Sequence, residues 1–328
     1  MESLRQRRIL VTGADGFIGS HLVERLVADG AHVRAFCFYN SRGSHGWLDG
    51  VEGPGLEYVL GDIRDERFVR EACKGIEVVF HLAALVSIPH SYQAAASFVE
   101  TNIGGTLNVL EAVHDVGCAR LVHTSTSEVY GTPEQLPIRE DHPLKGQSPY
   151  SATKIAADKL CEAFARSHGV PVVVLRPFNT FGPRQSARAV IPTILTQLLA
   201  GKRRIDLGTL QTRRDFTYVD DTVDGFVRAG IASLSPGEVI QLGTGRSVAI
   251  GEVIEISKSV LGVEAEVHLD EARVRPVASE VEILQSDPAK AERMLGWRAS
   301  VGLEEGIRRT ASWLSTSLDQ YRPDAYSI

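Results

Sequence analysis

The chain has 328 residues, 43% of them hydrophobic and 23% charged, with a formal net charge of -6. That length can bury a large core as one domain or as one domain plus a smaller lobe, and the even charge balance gives nucleic acid no basic cluster to bind. No apolar run approaches the roughly 20 residues that span a bilayer, and the start MESLRQRRIL lacks a secretory segment, so the expected location is cytoplasmic, with no membrane partner.

The one dense basic run, RQRR at 5–8, directly precedes an apolar strand and reads as a solvated strand entry or as a phosphate-binding arm. From there the strand-like runs RILVTG, HVRAFCF, LEYVLGD, VVFHLAA, RLVHTST and VPVVVLRP alternate with helix-period stretches. Such alternation predicts an α/β fold, a doubly wound parallel sheet of the Rossmann type covered by helices on both faces. After Pro177 the pattern changes: GPR at 182–184, a helix from about Val190 to Leu199 and a basic turn at Lys202 to Arg204 suggest a lid. The chain is expected to return to the sheet through DFTYVDD and VIQLGTG, then to leave for a segment that ends in a helix near Leu303 to Leu314. A dinucleotide-binding domain of residues 1–177 plus about 215–250 follows, with a smaller, discontinuous substrate lobe of about 178–214 plus 251–328.

Cys37, Cys73, Cys118 and Cys161 are far apart and form no CxxC, so reduced, buried thiols are expected rather than a disulfide framework. The ten histidines show no HExxH or other close ligand spacing, and no metal is expected.

In GADGFIGS, Gly13, Gly16 and Gly19 stand between a strand and a helix that opens at Phe17 and Ile18. Bare backbone at the first two would let a pyrophosphate reach the N–H groups of the turn and the helix amino end. An acidic residue that binds the adenosine ribose usually ends the second strand, but that place falls near Cys37, in a run without a carboxylate. Its absence removes repulsion toward a 2'-phosphate, and Arg42 is close enough in sequence to attract one, so both NAD and NADP stay open. Asp62, followed by Ile63, either bonds the adenine amino group or caps the next helix. The small Ala83 and Ala84 of HLAA would let the cofactor lie over the strand end.

Tyr150 and Lys154 in YSATK are four residues apart in a helix-period stretch and share a face. A phenol is a poor base near neutrality, and a nearby cation favours its charged form. Upstream, Thr126, Ser127 and Glu128 follow the fifth strand in STSEVYG. The carboxylate is more than a plain alcohol dehydrogenase requires.

These motifs, together with GDIRD, NIGGT, RPFNTFGPR, RRDFTYVDD and RPVASEV, cover nearly the whole chain. They resemble the extended short-chain dehydrogenases/reductases of the nucleotide-sugar epimerase and dehydratase family. The resemblance implies that Tyr150 takes the proton of a sugar C4 hydroxyl while NAD takes the C4 hydride, and that the Thr126 hydroxyl bonds the same oxygen. It places a nucleotide-diphosphate sugar near Asn179, Arg214 and Arg275, with Ser87 and Val190 as further contacts, and it implies a homodimer through the helices containing NIGGTLNVLEAV and YSATKIAADKL. A ketone at C4 acidifies the C5 proton, which Glu128 is suited to remove. Similar 4,6-dehydratases carry Asp then Glu here, whereas this chain has Ser127, as do nucleotide-glucuronate decarboxylases. FYNSRGSHGWLD, GQSPYSATKIAADKL and RPFNTFGPRQSARAVIPTIL resemble the branch with the GDP-N-acetylglucosamine 4,6-dehydratase of legionaminic acid biosynthesis. The resulting expectation is a 4,6-dehydratase, with an epimerase acting at C4 or a neighbouring carbon, or a decarboxylase, as alternatives.

Overall fold

A computed structural model describes residues 3–326; Met1 and Glu2 of the MESLRQRRIL start and the last two residues of the chain lie outside it. In chain order the strands are β1 (Arg8–Thr12), β2 (His32–Phe38), β3 (Leu56–Gly61), β4 (Val78–His81), β5 (Arg120–Thr124), β6 (Val172–Pro177), β7 (Asn179–Phe181), β8 (Arg204–Leu207), β9 (Arg213–Tyr218), β10 (Val239–Leu242), β11 (Ser247–Ala249) and β12 (Glu266–Leu269). The helices are α1 (Phe17–Ala28), α2 (Glu66–Cys73), α3 (Ile88–Gln93), α4 (Ala95–Phe98), α5 (Gly105–Val116), α6 (Pro149–His168), α7 (Val190–Leu199), α8 (Val219–Ile231), α9 (Ile250–Leu261), α10 (Ala289–Leu295) and α11 (Leu303–Ser315).

Seven strands form one sheet in the order β10-β6-β5-β4-β1-β2-β3, with every pairing parallel. Parallel strands need crossover helices, so both faces must be apolar. The residues obey that demand by alternation: Ile9, Val11, Val78 and Phe80 join the core shared with α1 and α8, while Leu10, Val79, Leu121 and Val172 join the one shared with α2, α5 and α6. Strand order reverses between β1 and β4, which opens a crevice beyond their carboxyl ends.

Two smaller sheets, β11-β9-β7 and β12-β8, build the lobe above that crevice. This corrects one expectation. VIQLGTG does supply β10 at the edge of the large sheet, but DFTYVDD gives β9, which pairs with β7 and β11, and only the following α8 packs back beneath the large sheet. The basic entry run is held as a strand entry, with Arg7 Nη1 donating to Glu77 at 2.7 Å and the Arg8 N–H to the same carboxylate at 3.0 Å. All four cysteines are buried and free. Among the described residues no helix is long and apolar enough to cross a membrane.

The NIGG stretch is not regular helix: between α4 and α5 the backbone widens into a π-helical turn over Val99–Gly104. The buried Asn102 explains it. Its amide accepts the Leu85 N–H at 2.8 Å and donates to the Leu85 carbonyl at 3.0 Å, so the turn opens to clamp the loop after β4.

One buried carboxylate ties the lobe to the large sheet. Asp215 in β9 accepts from the Thr244 N–H (2.8 Å) and hydroxyl (2.6 Å), the Gly245 N–H (3.0 Å), and the Ser286 N–H (3.1 Å) and hydroxyl (2.6 Å). Removing it takes one acceptor from all five donors, although the Gly245 N–H also reaches Ser286 Oγ at 3.1 Å and the Thr244 hydroxyl also reaches the Arg246 carbonyl at 3.3 Å. Asp215→Ala is therefore expected to destabilise the fold by about 3 kcal/mol or more, read as a lower urea midpoint; a change within about 0.5 kcal/mol, the usual range for a surface site, would refute the clip.

Candidate active site

At the end of β1 the chain turns through Gly13, whose φ of +68° suits glycine. A Cβ there would sit 2.7 Å from the Ala83 nitrogen, so the turn after β1 and the loop after β4 touch backbone to backbone. Gly19 serves the same close packing, since its Cβ would come within 2.0 Å of the Gly13 carbonyl oxygen. Gly16 then starts α1 with no side-chain cap, so the N–H groups at Phe17 and Ile18 face the crevice with the positive end of the helix dipole behind them. A turn with bare backbone at Gly13 and Gly16 before an uncapped helix fits a pyrophosphate.

Tyr150 lies in the first turn of α6, which a reciprocal Ser148 and Ser151 capping box begins, and Lys154 follows one turn later. Both are buried. Lys154 Nζ donates to the Thr124 carbonyl at 2.7 Å, which pins α6 to the end of β5. Burial pushes the Tyr150 phenol well above its ordinary value; a hydrogen bond with the Thr126 side chain opposes the shift and the negative charge of Glu128 adds to it. Burial lowers the Lys154 ammonium, and Asp158 opposes that. Thr126 caps the 3₁₀ turn Ser127–Tyr130 by accepting the Glu128 N–H at 3.2 Å. The turn leaves Ser127 buried and Glu128 half-buried on the cleft wall, where the carboxylate acts electrostatically on Tyr150 and on Arg214.

Across the crevice the lobe offers Arg214 from β9 and Arg275 from the loop after β12. Glu280 lies between them, 3.0 Å from Arg214 Nη2 and 3.7 Å from Arg275 Nη1. The Thr124 hydroxyl, Asn179 Oδ1, Gln185 Oε1 and Arg275 Nη1 are buried without hydrogen-bond partners and belong to residues of the same wall. Buried polar atoms are normally satisfied, so this cluster suits a polar ligand. The cleft has a volume of about 1100 Å³.

A family profile described as GDP-mannose 4,6 dehydratase matches residues 10–310. The chain belongs to the extended short-chain dehydrogenase/reductase family of nucleotide-sugar epimerases and dehydratases. It is 33% identical over 311 residues to UDP-glucose 4-epimerase of Mycolicibacterium smegmatis, covering 93% of this chain and 98% of the relative. With UDP-glucuronic acid decarboxylase 1 of Xenopus tropicalis it shares 32% identity over 332 residues, or 98% and 75% of the two chains. The dTDP-glucose 4,6-dehydratase DesIV of Streptomyces venezuelae, solved with NAD bound, matches with a TM-score of 0.85 and 33% identity over 96% of this chain and 99% of its own. Three reaction outcomes thus occur among relatives of similar identity.

On this epimerase/dehydratase scaffold, Gly13, Gly16, Phe17, Ile18, Asp62, Ile63, Ala83, Ala84, Ser87, Thr126, Ser127, Glu128, Tyr150, Asn179, Val190, Arg214 and Arg275 all line the one cleft. Lys154 stands behind Tyr150. Arg42 is the exception: its side chain is exposed and it is absent from the cleft wall, because the loop after β2 turns away through Asn40, which accepts the Arg42 N–H at 3.2 Å. The helix-cap alternative for Asp62 also falls, since Asp65 caps α2 by accepting the Phe68 N–H at 3.0 Å. Sequence reading missed Asp15, Arg188 and Glu280 on the wall. Asp15 was legible inside GADG and Glu280 inside RPVASEV, but Arg188 becomes a wall residue only through folding, when Nη1 donates to the Val86 carbonyl at 3.0 Å.

Behind the site, His81 bridges the Thr12 hydroxyl (2.8 Å) and the Thr106 hydroxyl (3.2 Å), and burial, helped by Lys154, pushes its ring down from 6.5 to about 3. A depressed folded value means that stability is complete above about pH 6.5 and is lost as pH falls from there toward about 3, because the unfolded ring binds the proton first. Between about pH 7 and about pH 5 this one group should cost about 2 kcal/mol. Urea titrations at the two pH values should therefore show a smaller loss in His81→Gln than in the wild type; equal losses would remove His81 as the cause.

Proposed function

We propose that the protein is an NAD-dependent nucleotide-sugar 4,6-dehydratase acting on an N-acetylglucosamine-type hexose linked to GDP or UDP. The observation that carries this reading is the position of Glu128, a carboxylate on the cleft wall whose charge acts on both Tyr150 and Arg214. Rotating a 4-ketosugar and reducing it again needs no such base; removing a C5 proton does.

NAD, when bound, takes up and later returns a hydride. Its pyrophosphate is assigned to the uncapped start of α1, and its adenine end to Asp62 and Ile63. Arg214, Arg275 and Asn179 hold the substrate diphosphate, because guanidinium forks match phosphate oxygens, and Glu280 keeps the two arginines paired until the diphosphate binds. Ser87 and Val190 contact the sugar and the base. Thr126 orients the C4 hydroxyl and Tyr150 accepts its proton. Burial holds the phenol protonated; the Lys154 ammonium one turn along α6 would favour the tyrosinate, and NAD, when bound, would supply further positive charge. Glu128 takes the C5 proton and passes it to the C6 hydroxyl, which leaves as water; the hydride would return to C6 while Glu128, reprotonated from solvent, protonates C5, and the proton that Tyr150 accepted from the C4 hydroxyl returns to solvent in balance. Ser127 is too weak an acid to replace a carboxylic acid at C6. Glu128 therefore serves as base and then as acid.

The serine at 127 also favours one second reading, a mass-conserving epimerase, since it removes the acid that similar dehydratases use. Likeness in the FYNS, GQSPYSATK and RPFNTFGPRQSARAVIP stretches supports the dehydratase and the GDP-N-acetylglucosamine branch. The assembly proposed is a cytoplasmic homodimer through α5 and α6, by analogy with similar enzymes.

Product mass separates the readings. With GDP- or UDP-N-acetylglucosamine the wild type should yield a product lighter by one water, and Glu128→Gln should lose this activity by about 100-fold or more while still transferring the C4 hydride, seen as absorbance of the reduced cofactor. An isomer of unchanged mass would establish the epimerase, and loss of carbon dioxide from a uronic acid substrate the decarboxylase.

A further inference from the structure

The second strand ends without the carboxylate that normally reads the adenosine ribose. Cys37 occupies that place and is fully buried, outside the cleft wall, its thiol pushed up to about 12 by burial and by the nearby Asp15 and Asp49 charges. A thiol so placed offers a ribose nothing.

A carboxylate reaches the same spot from the opposite side. Asp15, inside the glycine turn, extends across the crevice, and its Oδ2 accepts the N–H of Phe38, the last residue of β2, at 3.3 Å. It is half-buried and lines the cleft together with Phe38 and Trp47. Its backbone is fixed as well: the Asp15 carbonyl accepts the Trp47 N–H at 3.3 Å, and Gly46 packs so closely that a Cβ would lie 2.7 Å from that carbonyl oxygen. The usual contact runs from strand acid to glycine turn. Here acid and backbone donor have exchanged sides, and the carboxylate still stands between the turn and the end of β2.

The hydrogen-bond capacity matches a vicinal diol. A carboxylate offers about four acceptor sites; the backbone N–H groups of Phe38 and of Asp15 itself point at this one, which leaves room for two hydroxyls. A 2'-phosphate would bring its own negative charge to the same place. The basic side chains nearby do not offset it: Arg42 is exposed and off the wall, Arg64 is paired with Asp62 at 2.6 Å and Glu100 at 3.6 Å, and His45 faces Asp49 at 3.7 Å.

We propose that Asp15 reads the 2'- and 3'-hydroxyls of the adenosine ribose in place of the second-strand acid and thereby selects NAD over NADP. The inference rests on the dinucleotide reading above and adds a specificity residue to it.

Binding of NADH and NADPH to the purified protein, followed by cofactor fluorescence, tests it without reference to turnover. The wild type should prefer NADH by about 100-fold, and Asp15→Asn, which keeps an oxygen for the Phe38 N–H, should weaken NADH by about tenfold or more and narrow the ratio to within a few-fold. Arg42→Ala should leave the ratio unchanged. A wild type that prefers NADPH, or an Asp15→Asn protein that binds NADH with the wild-type ratio, overturns the proposal and leaves the dinucleotide site intact. A wild type that binds neither cofactor overturns the dinucleotide reading and this inference with it. If Asp15→Asn does not fold, competition against NADH on the wild type decides: 5'-AMP should displace it and adenosine 2',5'-bisphosphate should not, and equal displacement by both overturns the role of Asp15.

Discussion

The hydrogen bond from the Lys154 ammonium to the Thr124 carbonyl puts a positive charge inside the fold, and much of the surrounding architecture answers that charge. An ammonium out of water is tolerated only with partners, and removing a partner costs far more than the pair contributes. One turn along α6, Asp158 supplies the counter-charge. It accepts the Ser125 hydroxyl at 2.9 Å and Arg176 Nε at 3.1 Å, and Arg176 in turn donates to the Tyr130 hydroxyl at 3.1 Å. Tyr130 continues to Gln241 at 3.0 Å in β10. A chain of alternating charge and hydrogen bonds therefore spans β5, β6, β10 and α6, and it holds Tyr150 opposite the turn that carries Thr126 and Glu128.

The two histidines beside that network show the same pressure from the other side. His81 and His123 lie within 5.4 Å ring to ring, both fully buried, and both are driven toward the neutral form chiefly by burial, with Lys154 adding to it. They can sit beneath a cationic site only because they carry no charge themselves. Glycine serves the matching steric purpose on the cofactor side, where Gly13 and Gly19 let three backbone segments meet with no side chain between them.

Much of this was legible in the chain because GADGFIG, HLAA and STSEVYG each lie at or just after the end of a strand and YSATK opens a helix. GADGFIG, HLAA, STSEVYG and YSATK are local patterns, and a doubly wound sheet brings such positions to one crevice whatever the details. The lobe was harder. DFTYVDD reads as a strand, but period alone cannot say which sheet it joins; Asp215, with five donors drawn from turns 29 to 71 residues away, decided that. The NIGG stretch reads as helix, and its π-helical turn exists because Asn102 bonds a loop 17 residues earlier. Arg42 pointed the wrong way for a similar reason, since closeness in sequence at a strand end says nothing about which side the following loop takes.

By itself the sequence determined the fold class, the family and the set of chemical groups, because hydrophobic period and short motifs act through neighbours along the chain. Only the tertiary structure decided which of those groups meet. It set Glu280 between Arg214 and Arg275, turned Arg42 out of the cleft and brought Asp15 across to the end of β2. The physical reason is that charge and hydrogen bonding act over a few ångströms of space, and residues that far apart in the fold can be any distance apart in the chain.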